Sequence, residues 1–193
     1  IVEQFENQIC AFTGAKYSVA VINGTSALHL ALLSIGTNVE DEILIPSLTF
    51  VATGNAVKYC FANPHFVESE EKTLGIDCQK LLEYLKKIAI KKKNITYNKY
   101  TGKRIRGLIA VHVLGNIGNI EILQEISKLY NLFIIEDSAE ALGSWKNNKH
   151  AGLFGDVACL SFNGNKIITT GGGGMIITNS EIIAKKAKHL STT

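Results

Sequence analysis

The sequence predicts an α/β protein, a three-layer α/β/α sandwich on a mostly parallel sheet. Short, wholly apolar runs (YSVAVI, DEILIP, GLIAVHV, LFIIED, VACLSF, GMIITN) alternate with stretches of helical spacing. Strands that are apolar throughout must be covered on both faces, and the helices of a parallel sheet provide that cover. Over 193 residues, 46% hydrophobic and 19% charged side chains suit one compact domain with a real core.

The elements follow from the pattern in order. Val2 to Phe12 is amphipathic and helical, and Tyr17 to Ile22 is a strand. Helical spacing resumes from Gly24 to Ser34, with Leu28, Ala31 and Leu32 on one face. DEILIP is a short buried strand ending at Pro46. A helix follows over Phe50 to Tyr59, then a short strand over Pro64 to Val67. Asp77 is placed to cap a helix running to about Ala89. GLIAVHV, LFIIED, VACLSF and GMIITN are further strands, Ile120 to Tyr130 is an amphipathic helix, and Ser180 caps a last helix.

Charge and composition narrow the function classes. Between Tyr84 and Ile120 there is no acidic residue, and nine lysines and arginines fall there. The expectation is a solvated helix end and an exposed loop. A basic anion-binding module over 84–120 is the alternative; the stretch carries no nucleic-acid motif, so no nucleic-acid partner is expected. No apolar run is long enough to cross a bilayer, and no membrane partner is expected. Cys10, Cys60, Cys78 and Cys159 are scattered in apolar or helical contexts and form no CxxC pair, which suits free thiols in a cytoplasmic setting. The chain starts at Ile1, its one methionine is Met175, and it stops at Thr193 after a helical stretch, so a piece of a longer protein is expected.

In a parallel sheet, ligands bind beyond the carboxyl ends of the strands. Four such ends carry polar residues: NGTS, PSLTF, EDSAE and SFNGNK. Gly24, Thr25 and Ser26 begin a helix, where backbone N–H groups and hydroxyls suit a phosphate; a plain helix cap is the alternative. Asp137 ends a buried strand and needs a cation or strong donors, whether as a metal ligand, a partner for histidine or a partner for a protonated pyridine nitrogen. Glu136, one residue earlier, faces the other way. Lys166 sits between a strand and a glycine-rich turn, where desolvation would make its amine a nucleophile able to form an imine; taken alone, an exposed loop lysine is the favoured alternative. Gly171 to Gly174 suggest a close backbone approach or a loose loop. His112 and His29 are expected to be structural, and no spacing resembles a metal site.

In order along the chain, NGTSALHLAL, PSLTFVATGNAV, AVHVLGNIGNI, IIEDSAEALGS and GDVACLSFNGNKIITTGGGGMIIT resemble the DegT/StrS-type nucleotide-sugar aminotransferases. These are enzymes of pyridoxal 5'-phosphate (PLP) with the fold type I large domain. The resemblance implies that residues 1–193 are that PLP-binding domain without its C-terminal small domain. By position, Lys166 would be the Schiff-base lysine and proton shuttle, and Asp137 the partner of the pyridine nitrogen. Phe50 would stack on the ring. Thr25, Ser26 and Ser161 would hold the phosphate, and Glu140 would stand near the ring hydroxyl. A nucleotide-sugar substrate, glutamate as amino donor, and a homodimer are implied as well.

Gly172, Leu114 and Glu140 depart from the Glu, Tyr, and Gln or His that many relatives carry. EDSAE with SFNGNKIITTGGGG most resembles the branch acting on UDP-linked 4-keto-6-deoxy-N-acetylhexosamines of bacillosamine- or legionaminic-acid-type pathways. Two rivals are a sugar dehydratase, whose lysine is replaced by His, and a PLP-binding relative without turnover.

Overall fold

The computed structural model describes residues 1–192, so Thr193, the last residue of the expected domain, lies outside the described residues. In chain order the elements are α1 (Val2–Thr13), β1 (Tyr17–Val21), α2 (Gly24–Ser34), β2 (Glu42–Pro46), α3 (Val51–Tyr59), β3 (Asn63–Val67) and α4 (Cys78–Ile88). Then come β4 (Ala89–Lys92), β5 (Ile95–Asn98), β6 (Ile105–Val111), α5 (Ile120–Tyr130) and β7 (Phe133–Asp137). The chain closes with β8 (Trp145–Lys146), β9 (Lys149–His150), β10 (Val157–Ser161), β11 (Gly174–Thr178) and α6 (Glu181–Thr192). Among the described residues no helix is long and apolar enough to cross a membrane.

Seven strands form one sheet in the order β1-β11-β10-β7-β6-β2-β3. β11 runs antiparallel to both its neighbours, and the other pairs are parallel. Strand alternation divides the core in two. Ile43, Ile45, Ile109, Ile135 and Cys159 face a cluster with Ala27, Leu28, Ala31 and Leu32 of α2, Ala56 and Val57 of α3, and Ile183 of α6. The intervening Leu44, Leu108 and Ile134 face Leu81 and Leu85 of α4 and Leu123 and Ile126 of α5. On that second face Ala158 and Leu160 pack with Ile9 of α1. The three layers expected from uniformly apolar strands are therefore present. Pro64 lies on the edge strand β3, where its missing N–H breaks no ladder between two neighbours.

Local signals account for the helix ends. Asp77 caps α4 by accepting from the Lys80 N–H at 3.0 Å. Ser180 accepts from the Ile183 N–H at 3.4 Å before α6.

Two hairpins correct the sequence reading. The basic stretch does begin at an exposed helix end, with Lys86 and Lys87 in the last turn of α4, but it continues as a hairpin: β4 and β5 pair antiparallel through a two-residue turn, Lys93-Asn94, both at positive φ. Tertiary bonds hold this hairpin in place. The Lys91 Nζ donates to the Leu129 carbonyl at 2.9 Å, and the Asn98 amide donates to the buried Glu42 carboxylate at 3.0 Å. β8 and β9 form a second small hairpin around Asn147-Asn148, also at positive φ.

Candidate active site

The carboxyl ends of β1, β2, β6, β7 and β10 open into one cleft of about 450 Å³. Four of these ends are those expected from sequence. The fifth belongs to β6 and brings Val111, His112 and Val113 into the lining. The volume is in the range of small-molecule sites, about 300–1,000 Å³.

The start of α2 forms one wall. Asn23 is the helix cap, with its side chain accepting from the Ser26 N–H at 2.8 Å. The hydroxyls of Thr25 and Ser26 are therefore not used for capping, and no acidic residue stands in the first turn. A helix start of this kind favours an anion. Gly24 lets the helix descend onto β10: a Cβ there would lie 2.9 Å from the Ser161 Cβ. Gly174 is tighter still, since a Cβ would fall 2.4 Å from the Asn23 carbonyl. The close backbone approach read from the glycine run is thus at Gly174, while Gly171 and Gly172 face open space.

Asp137 lies at the tip of β7 and is buried. Its Oδ2 accepts from the Thr53 hydroxyl at 2.9 Å, and Thr53 accepts in turn from the Thr49 hydroxyl at 2.7 Å. Burial pushes the Asp137 carboxyl above its ordinary value. The Thr53 hydroxyl, the Ala139 N–H and the charges of His112 and Lys166 oppose that push. Glu136 points to the other face, as strand alternation requires. There it is fully buried, and it accepts from His112 Nε2 at 2.7 Å, from the Gly152 N–H at 2.8 Å and from the Gly155 N–H.

Lys166 stands in the segment joining β10 to β11. Thr169 and Thr170 fasten that segment at its neck by donating to the Phe162 carbonyl at 3.1 Å. The Lys166 side chain is 16% exposed, and its Nζ is 3.2 Å from Glu140 Oε1. The other Glu140 oxygen accepts from the Leu114 N–H at 3.1 Å. Phe50, the residue before α3, is 74% exposed, and its ring centre is 6.0 Å from the Lys166 Nζ.

Gly24, Thr25, Phe50, Asp137, Glu140, Ser161 and Lys166 all line the cleft, whereas Ser26 does not. Sequence reasoning missed Thr49, Thr53 and Asn23; His112, expected to be structural, is among the residues at the cleft, and its ring is bonded to the buried Glu136. The usable signal for Asn23 was its place before a helical run. Nothing local marked Thr53, because it meets Asp137 from 84 residues away. Among the described residues, no group of three His, Cys, Asp or Glu side chains is placed to hold a metal ion.

Known proteins share this arrangement. The family model for the DegT/DnrJ/EryC1/StrS aminotransferases matches residues 1–193. The GDP-perosamine synthase of Caulobacter vibrioides is 38% identical over 187 residues, which is 97% of this chain and 46% of the relative. The chain thus spans about half the length of the curated relatives it matches. Among solved structures, DesV of S. venezuelae in complex with a ketimine intermediate superposes with a TM-score of 0.86 at 29% identity, over 99% of this chain and 47% of that one. NtdA of Bacillus subtilis with the cofactor PMP bound superposes at 0.81 and 30% identity, over 96% of this chain and 38% of that one. With the family model covering the whole length and the cleft built from the same ordered motifs, the chain belongs to the DegT/DnrJ/EryC1/StrS aminotransferase family.

Proposed function

We propose that these residues are the PLP-binding large domain of an aminotransferase that moves an amino group, with glutamate as donor, onto a nucleotide-linked 4-keto-6-deoxy sugar. One observation carries the reading: a lysine amine, a buried carboxylate, an aromatic ring and a helix start meet in one cleft of small-molecule size. The residues fit the cofactor group by group. Lys166 is the nucleophile for its aldehyde, and Asp137 is the acceptor for its ring nitrogen. Phe50 is a wall for its ring. The first turn of α2 with Thr25, together with Ser161, offers donors for its phosphate; Ser26, expected there from sequence, does not line the cleft.

When bound, PLP supplies a carbonyl that condenses with amines and a ring that takes up an electron pair. The chain supplies the rest. Asp137, held by Thr53, keeps a negative charge facing the ring nitrogen. Lys166 would carry a proton between donor and acceptor atoms, with Glu140 placed to hold its ammonium.

For the sugar, the motif resemblance supports a UDP-linked N-acetylhexosamine, while the GDP-perosamine synthase relatives support a GDP-linked sugar instead. A homodimer is part of the proposal. Leu48, Phe50, Val51, Leu114, Ile167 and Ile168 leave exposed apolar side chains around the cleft, a surface that a second subunit would cover. Four free cysteines suit a reducing cytoplasm.

The test is a spectrum. Protein mixed with PLP should gain a visible band that is absent in Lys166→Ala and that fades when glutamate is added. Identical spectra for the two proteins would overturn the lysine assignment. A band that glutamate leaves unchanged would overturn the donor.

A further inference from the structure

The reading above gives Thr49 no part, although it lines the cleft next to Phe50. Both residues belong to the connection from β2 to α3, which is pinned at each end. At its start the Ser47 N–H donates to the Val67 carbonyl at 2.8 Å, and the Leu48 N–H to the Ser69 hydroxyl at 3.2 Å. At its end the Thr53 N–H donates to the Phe50 carbonyl at 3.0 Å, and the Thr49 hydroxyl to the Thr53 hydroxyl oxygen at 2.7 Å. The Phe50 carbonyl lies 3.4 Å from the Thr49 hydroxyl, too far to compete for that hydrogen.

A hydroxyl has one hydrogen to give. Thr53 is in contact with two oxygens, Thr49 at 2.7 Å and Asp137 Oδ2 at 2.9 Å, so its hydrogen serves only one of them. Given to Thr49, it would leave a carboxylate oxygen facing the Thr53 oxygen with no hydrogen between them. The Thr49 hydrogen settles the direction: Thr53 accepts from Thr49 and donates to Asp137, and a hydroxyl whose oxygen already accepts is the stronger donor. The other Asp137 oxygen takes only the Ala139 N–H at 3.3 Å, so Thr53 is the one side-chain donor to this carboxylate among the described residues.

We propose that Thr49 is a positioning residue of this site: its hydroxyl fixes the direction of the Thr53 hydroxyl and joins the segment bearing Phe50 to the Asp137 carboxylate as one hydrogen-bonded unit. The proposal rests on the aminotransferase reading, in which Phe50 meets the face of the cofactor ring and Asp137 its nitrogen. The wall and the charge that hold that ring are then linked through two hydroxyls.

The first experiment follows the Asp137 carboxyl in 13C spectra of aspartate-labelled protein without PLP, with Asp137→Asn identifying the signal. Its titration midpoint should rise in Thr49→Val and rise further in Thr53→Val, and the double variant should match Thr53→Val. Thr49→Ser should restore the wild-type midpoint. A midpoint unchanged in Thr49→Val, or one that Thr49→Val still raises in the Thr53→Val background, overturns the proposal. The other titratable groups that bear on Asp137 are kept in every variant: His112 and Lys166 through their charges, and Cys159 opposite it on β10. The second experiment needs no variant. Neutron diffraction from wild-type crystals in heavy water should place the Thr49 deuterium toward Thr53 and the Thr53 deuterium toward Asp137 Oδ2. A Thr53 deuterium directed at Thr49 overturns the proposal. Both measurements leave PLP out, so their failure strikes the Thr49 assignment alone. A wild type that gains no Lys166-dependent band with PLP overturns the aminotransferase reading instead.

Discussion

Thr53→Val removes one hydroxyl and nearly no volume. Thr53 is fully buried on α3, and its hydroxyl donates to Asp137 Oδ2 at 2.9 Å. A hydrogen bond to a charged group contributes about 1.5–3 kcal/mol, against about 0.5–1.5 for a neutral pair. Losing a bond that is stronger to the charged form lifts the Asp137 carboxyl further above its ordinary value. The sign follows from linkage. Burial already raises this carboxyl above its unfolded value. Such a group gives stability that is fully present below the unfolded value, near about pH 4, and is lost as pH rises through the folded value. Thr53→Val extends that loss. Urea unfolding should therefore show the variant less stable by about 1.5–3 kcal/mol at pH 8 and by about 1 kcal/mol or less near pH 4. Thr53→Ser should recover most of the deficit. Equal deficits at both pH values, or no recovery with serine, would mean that Thr53 only fills space.

Two further outcomes follow from the packing. Gly24→Ala drives a Cβ to 2.9 Å from the Ser161 Cβ, and Gly174→Ala drives one to 2.4 Å from the Asn23 backbone. Gly24→Ala should cost about 1–3 kcal/mol and Gly174→Ala more, read as a fall of about 2–4 °C in Tm per kcal/mol. Gly172→Ala, with nothing within 4 Å, is the control, and a fall there equal to that of Gly174→Ala would refute the assignment of close approach. Burial pushes the thiols of Cys60 and Cys78 up to about 11 and that of Cys159 well above its ordinary value, while Cys10 is half-buried. At pH 8 a thiol reagent should label Cys10 alone in the native protein and all four cysteines in denaturant. Rapid native labelling of a second cysteine would contradict that burial.

Local pattern was enough for much of this protein. Wholly apolar strands separated by amphipathic helices fixed the layers, because period-2 and period-3.6 hydrophobicity reports burial directly. The α2 and α5 limits read from spacing match the observed Gly24–Ser34 and Ile120–Tyr130. Strand ends with polar residues pointed to the cleft, since ligands gather where parallel strands end. Asp137 and Lys166 stood at strand ends as candidates, but residue chemistry left each open, and it was the resemblance of the ordered motifs that singled them out. Their hydrogen-bond partners were not legible. Thr53 looks like any threonine until folding brings it to Asp137, and the bond between His112 and Glu136 appears only when β6 and β7 pair. The basic stretch misled for a related reason. Ala89–Lys92 and Ile95–Asn98 become a hairpin through contacts with Glu42 and Leu129, which lie far away in sequence. The sequence by itself determined the layers and the strand ends and marked candidate side chains there, because each depends on local pattern. Only the tertiary structure decided which groups orient and charge those side chains, because that depends on distances between residues the chain brings together from separate elements.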